Sequence, residues 1–209
     1  MLAGREAGRS VFKRVNTLLS IRKKPILPFP HHPAFRPIDR QPILHAAFCI
    51  LNSDLSTNAI QVFYSASYAH ITKDDLYDCL ALRTEVFVLE QDCPYQEIDG
   101  KDRQSWHIWS RGEEGVVSSY ARILEAGVSY PEVSIGRVVV HQDHRGKQLG
   151  RELMVFCLEF IRSELGPQPV RISAQDYLLK FYESLGFNYT GKSYLEDGIP
   201  HSEMLLDLQ

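Results

Sequence analysis

Cysteine is scarce in this chain. There are four in 209 residues, at Cys49, Cys79, Cys93 and Cys157, and no two form a C-x-x-C pair. That scatter argues against a zinc ribbon or a redox dithiol and fits a reducing compartment. Cys79 and Cys157 fall on apolar helix faces and are expected in the core. Long hydrophobic runs are also missing. Ile43 to Leu51, the longest near the N-terminus, is far too short to span a bilayer, so no membrane partner is expected. Acidic residues are nearly absent from one part: residues 1–53 hold nine Lys/Arg against two Asp/Glu, Glu6 and Asp39. The remainder holds 14 and 24, a balance of −10 concealed by the formal net charge of −3. An acidic folded part argues against nucleic-acid binding, and suits solubility or a cationic, amine-bearing substrate.

What is present divides into two regions. Hydrophobic content of 44% and charged content of 23% predict a packed core. Residues 1–55 do not read as part of it. They carry six of the eleven prolines, and Val11, Val15, Leu18 and Leu19 among basic residues line one side of a possible helix. This composition fits a mitochondrial targeting segment, a disordered basic tail or translated upstream sequence. The expectation is an unstructured extension over 1–55, with Pro25 to Pro42 an extended linker, and one folded domain over 56–209. The expected location is cytoplasmic, or the mitochondrial matrix if the basic segment is a transit peptide.

Within the domain, Ile60 to Tyr64 reads as a strand, and the Thr72/Asp75 capping pattern starts a helix to about Glu90. His107 to Ser110 is a short strand, and Val116 to Leu124 with Val133 to Val140 form a hairpin through Gly127. A helix from Leu149 to Leu165, a strand Val170 to Ala174, a helix Asp176 to Leu185 and strands near Phe187 to Thr190 and His201 to Leu208 complete the order. A mostly antiparallel front half ahead of a strand–helix–strand unit is an α+β sandwich.

The junction of Val138, Val139 and Val140 with the helix from Leu149 carries the most information. Between them runs His141-Gln142-Asp143-His144-Arg145-Gly146-Lys147-Gln148-Leu149-Gly150. A turn that opens a helix aims free backbone N–H groups and a partial positive charge at one point. Arg145, Lys147 and Arg151 add full charges, and two glycines let the chain approach closely. This is a site suited to a pyrophosphate. Downstream, Phe181-Tyr182-Glu183-Ser184-Leu185-Gly186-Phe187 ends a short helix at Gly186.

Together the two motifs resemble the GNAT superfamily of acetyl-CoA-dependent N-acyltransferases. Leu82 to Gln91, Cys93 to Gly100, Ile135 to Val138 and Glu196 to His201 narrow the resemblance to the ElaA-type branch, over about residues 61 to 208. The resemblance implies the GNAT fold, a mixed, mostly antiparallel sheet flanked by helices, and acetyl-CoA as co-substrate with no metal. It implies that the backbone of Val138, Val139 and Val140 pairs with the pantetheine arm and that Arg145, Gly146, Lys147, Gln148, Leu149, Gly150 and Arg151 hold the pyrophosphate. Gln175 stands where many relatives have an Asn facing the cofactor, and Tyr182 matches the tyrosine that protonates the leaving thiolate. Two positions depart from the pattern. Gln148 replaces a common Gly, and binding is expected to survive if φ stays negative there. Ser134 stands where relatives often carry a glutamate base.

With serine at that position, the base must lie elsewhere or be a water chain. Leu76, Leu80, Arg83, Phe87 and Glu90 share one helix line, which turns Arg83 and Glu90 toward the core or its edge. Either they form a structural ion pair with a strand residue or they contact substrate. Glu90, His201 and His107 are the base candidates, histidine because it titrates near neutrality. Glu97 and Asp99 could hold an amine, or they form a capped surface turn; Arg83 and His107 are further candidates for contact with the substrate. Arg137, by alternation opposite Gly136 and Val138, reads as structural. The expected reaction is direct attack of a primary amine, from a small molecule or a peptide, on the thioester. A non-catalytic acyl-CoA sensor and an acyl-homoserine-lactone-type synthase are the rivals; the latter shares an Arg-x-x-Val-Phe block, here Arg83 to Phe87.

Overall fold

The computed structural model describes residues 48–50, as backbone, and residues 61–208. In chain order the elements are β1 (Phe48–Ile50), β2 (Gln61–Ser67), α1 (Lys73–Thr84), β3 (Ser105–Arg111), β4 (Val117–Leu124), β5 (Val133–Val140), α2 (Leu149–Phe160), β6 (Pro169–Gln175), α3 (Leu179–Glu183), β7 (Asn188–Glu196) and β8 (Ile199–Asp207). The strands form one mixed sheet in the order β1-β2-β3-β4-β5-β6-β8-β7. Every neighbouring pair is antiparallel except β5 with β6. The α+β class expected from the sequence is the class observed. The edge strand Phe48–Ile50 pairs with Phe63 to Gln61, so three residues of the segment read as an extension join the sheet. Calls on residues 1–47 and 51–55 lie outside the described residues.

Local chemistry sets the element ends. Thr72 Oγ1 accepts the Asp75 N–H at 3.0 Å, capping α1, and Asp74 and Asp75 sit in its positive first turn. The helix widens into a π turn over Glu85–Glu90 before it stops. In α2, Leu149, Leu153, Phe156, Cys157 and Phe160 recur at three and four, and all are buried. Gly186 takes φ +95° after α3, and the Phe187 N–H closes back on the Tyr182 carbonyl at 3.1 Å.

Helices cover both faces of the sheet. β4 is buried at every position, and its alternation serves two cores. Ala121 and Ile123 join the apolar cluster under α2 and α3, which includes Leu153, Met154, Ile172, Tyr182, Phe187 and Met204. Tyr120 faces the other way, into a smaller cluster with Cys79, Leu82, Val86 and Trp109 beneath α1. Cys79 and Cys157 are fully buried, as expected.

Candidate active site

Two strands that run parallel part from each other. β5 and β6 pair only at Val133 with Val170 and Ser134 with Arg171. Beyond that point Ile135–Val140 and Ile172–Gln175 diverge and open a cleft of about 910 Å³. β6 stays paired with β8 along its other edge. The inner edges of the two parted strands therefore present backbone N–H and C=O groups to the cleft, and an extended ligand arm can bond them as an inserted strand would.

The cleft ends at the loop before α2. Gln148, Leu149 and Gly150 have no acceptor for their N–H groups among the described residues; the first bonds back into the turn come from Arg151 and Glu152, to the Gln148 carbonyl. Gly146 takes φ +75° and Gln148 takes φ +63°. The condition of a negative φ at Gln148 is thus not met. The turn needs the left-handed conformation, and here a side chain bears its steric cost instead of a glycine. Arg151 anchors on Ser184 through its Oγ at 2.8 Å and its carbonyl at 3.2 Å. Lys147 does not line the cleft; its Nζ donates to the Asp143 carbonyl at 3.3 Å, which corrects its expected place at the phosphate. Arg145 donates to both oxygens of Glu90, at 2.6 and 2.7 Å, and its Nε to the Val140 carbonyl at 3.0 Å. That ion pair is half exposed, so exchanging Glu90 for a phosphate costs under about 1 kcal/mol. Free donors, close backbone and two cleft-lining arginines fit the pyrophosphate of a coenzyme A.

Midway along β5 the strand carries a bulge. Tyr120 pairs with Val139 and Arg122 with Gly136, so β5 has one residue more than β4 over that interval. Arg137 lies in it with φ +52°. Simple alternation would send Arg137 the same way as Val133 and Ile135, into the apolar core under α2. The bulge resets the parity: Val138 and Val140 pack on that core while Val139 joins the cluster under α1. Arg137 is freed to donate from Nε to Glu97 Oε1 at 2.9 Å and to lie over the Tyr95 ring.

Glu97 belongs to a buried charge network. Arg83, fully buried on α1, grips Glu97 at 2.8 and 3.0 Å and Asp102 at 2.6 and 3.3 Å. Arg122 grips both oxygens of Asp99 at 2.7 Å and reaches Asp102 at 3.1 Å. Burial alone would raise the Asp99 carboxyl, but the Arg122 guanidinium outweighs it and holds the group down to about 2. His107 Nε2 donates to the Asp102 carbonyl at 3.1 Å, which leaves Nδ1 to accept from the Tyr120 hydroxyl at 2.8 Å. That is a neutral ring, and burial lowers its pKa to about 4.

Three expectations are corrected by this network. Arg83, Glu97 and His107 do not line the cleft, because their polar atoms are consumed by one another in the interior. They support the bulge and do not touch an acceptor. Asp99 does line the cleft, but with Arg122 on both oxygens it is not free to hold an amine. Glu90 also reaches the cleft, and the hydrogen bonds from Arg145 hold its carboxyl below the usual range, which weakens it as a base.

The remaining expected residues converge. Val138, Val139, Val140, Arg145, Gly146, Gln148, Leu149, Gly150, Arg151, Gln175, Tyr182 and His201 all line the cleft. Gln175 Nε2 donates to Gln91 Oε1 at 3.3 Å. Tyr182 is held edge-on between Phe181 and Phe187, with ring centroids 5.0 and 6.0 Å away. Burial pushes its phenol well above the usual range, so the group stays a proton donor at neutral pH. Residues not foreseen also line the cleft, among them Tyr130, Ser173, Glu196 and, at the bulge, Arg137. Only Arg137 left a trace in the sequence, as a charge at an apolar register position in a strand. Among the described residues no group of three His, Cys, Asp or Glu is placed to hold a metal ion, and no helix is long and apolar enough to cross a membrane.

Residues 55–208 match the profile of the acetyltransferase (GNAT) domain. A UPF0039 protein of Schizosaccharomyces pombe is 42% identical over 135 residues, 64% of this chain and 89% of that protein. Protein ElaA of Escherichia coli is 41% identical over 141 residues, 66% of this chain and 90% of ElaA. Its crystal structure superposes with a TM-score of 0.66, covering 70% of this chain and 99% of that one at 37% identity. An acyl-CoA N-acyltransferase from Pseudomonas aeruginosa gives a TM-score of 0.67 with the same coverage at 38% identity.

Proposed function

The chain belongs to the GNAT acetyltransferase family, and from that premise we propose that it transfers an acetyl group from acetyl-CoA to a primary amine by direct attack on the thioester. The acceptor is a small-molecule or peptide amine. Bound acetyl-CoA would supply the activated carbonyl and a thiolate leaving group. The chain's own residues do the rest. The N–H groups of Gln148, Leu149 and Gly150, with Arg145 and Arg151, bind the pyrophosphate. The bare edge of β5 orients the pantetheine arm, and the bulge before Val138 and Val139 aims a backbone N–H at the thioester oxygen. Tyr182 donates its phenolic proton to the departing sulfur and regains one afterwards.

The observation that carries the reading is the phenol of Tyr182, kept protonated by burial and lining the same cleft as the phosphate loop. Its hydroxyl makes no hydrogen bond among the described residues, so its proton is uncommitted. The test pairs calorimetric titration of acetyl-CoA with a thiol-release assay on a panel of primary amines. Tyr182→Phe should bind acetyl-CoA like the wild type and lose about 100-fold or more in kcat. Binding without turnover of any amine by the wild type would replace the transferase with a non-catalytic acyl-CoA sensor.

A further inference from the structure

We propose that His201 is the general base that deprotonates the acceptor ammonium. The assignment rests on the acetyltransferase reading above and supplies the group that Ser134 cannot.

A base in this site needs to reach the cleft, to hold an unclaimed lone pair and to be free of a cationic partner. Glu90 fails on the third count, with Arg145 on both oxygens. Asp99 fails for the same reason, with Arg122. His107 is sealed in the interior with both ring nitrogens engaged. His201 meets all three. It lines the cleft, and its Nδ1–H donates to the Ile199 carbonyl at 2.8 Å. That bond fixes the tautomer and leaves the lone pair on Nε2. The nearest charge to Nε2 is an acid, Glu196, at 4.0 Å.

The fold holds this ring rigidly. Asp197 and Gly198, at φ +49° and +84°, turn the β7–β8 hairpin in two residues, and Glu196 pairs with Ile199 across it. The same turn therefore sets both the carbonyl that orients His201 and the carboxylate that faces it. Tyr194 stacks on the ring at 6.2 Å and is tied to Ser173 Oγ at 2.6 Å. In the β6–β8 register His201 stands opposite Gln175, on one face of the sheet, while Ala174 opposite Ser202 belongs to the other. Ala174 packs in the core with Tyr182. Base and acid thus line the one cleft from opposite faces of the sheet.

In the step, Glu196 draws the ammonium and Nε2 takes one of its protons. The amine nitrogen then forms the new C–N bond, the C–S bond breaks with its electron pair on sulfur, and the Tyr182 phenol protonates that sulfur. The second nitrogen proton restores the phenol, and the imidazolium releases its proton to solvent.

The test uses the full chain, acetyl-CoA and two amines of similar size, ethylamine and trifluoroethylamine. The first is protonated at neutral pH and the second is not. His201→Gln should lose about 100-fold or more in kcat/KM with ethylamine and less than about fivefold with trifluoroethylamine, which needs no base. Calorimetry should show unchanged acetyl-CoA affinity, and His201→Ala should repeat the pattern if glutamine disturbs the hairpin. Equal losses with both amines, or no loss with either, overturn the assignment while leaving the transferase reading intact. Acetyl-CoA binding with no turnover by the wild type of these or of any amine in the panel overturns both.

Discussion

The two faces of the sheet are built from different chemistry. Under α2 and α3 the contacts are apolar, with Leu153, Met154, Ile172, Phe187 and Met204 at or near zero exposure. Under α1 and the loop that follows it, Arg83, Arg122, Glu97, Asp102 and a neutral His107 are buried together, with Arg137 and Asp99 half-buried at the edge. The apolar face gains stability from area removed from water. The charged face gains little net stability, since desolvation offsets most of the attraction. What it gains is directional. The bidentate grip of Arg83 on Glu97 leaves Glu97 with one geometry in which to receive Arg137, and Arg137 is the residue in the bulge. One face holds the domain together, and the other sets the shape of the strand that lines the cleft.

Removing one partner on each face breaks the comparison most directly. Arg83→Leu should cost roughly 3–5 kcal/mol, because it leaves Glu97 and Asp102 buried without their cation. Urea denaturation would measure this, and acetyl-CoA affinity should fall with it as the bulge relaxes. Leu153→Ala should cost roughly 2–5 kcal/mol through a cavity under α2, yet leave acetyl-CoA affinity unchanged at temperatures where the variant is folded. Equal effects of the two substitutions on affinity would erase the distinction between the faces.

Acid sharpens it further. His107 titrates at about 4 in the folded chain against 6.5 as its ordinary value. The unfolded chain therefore binds the extra proton first, and stability is complete above about pH 6.5 and lost as pH falls toward 4. The loss is about 3 kcal/mol over that window. Asp99, held at about 2, adds a loss of its own below 3.8. Denaturation midpoints between pH 7 and pH 4 should fall in the wild type and flatten in His107→Gln, whose amide can serve both Asp102 and Tyr120. The smallest effect lies at the loop. Gln148→Gly should gain about 1 kcal/mol by relieving the left-handed strain, without weakening acetyl-CoA binding, as calorimetry and a melting curve would show.

Much of this architecture was legible before any coordinates. The Thr72 cap, the apolar line of α2, the Gly186 stop and the hairpin through Gly127 are signals of local spacing, and each element stands where its signal put it. The junction proposed to hold the pyrophosphate was legible as a strand, a turn and a helix start for the same reason, since the three are contiguous. The partnerships of charged groups were not. The sequence turns Arg83 and Glu90 inward toward a strand partner or a substrate, whereas Arg83 goes to Glu97 and Asp102 and Glu90 goes to Arg145, 55 residues further on. Arg137 was read by strict alternation, which a bulge cancels.

By itself the sequence determined the elements, their order, the turn that opens α2 and the short helix that carries Tyr182, because each depends on residues within a few positions of one another. Only the tertiary structure decided which carboxylates are gripped by arginines, where β5 leaves β6, and that His201 alone among the proposed bases lines the cleft without a guanidinium partner. Those outcomes depend on charges separated by tens of residues competing for the same partners, and a linear pattern carries no record of who wins.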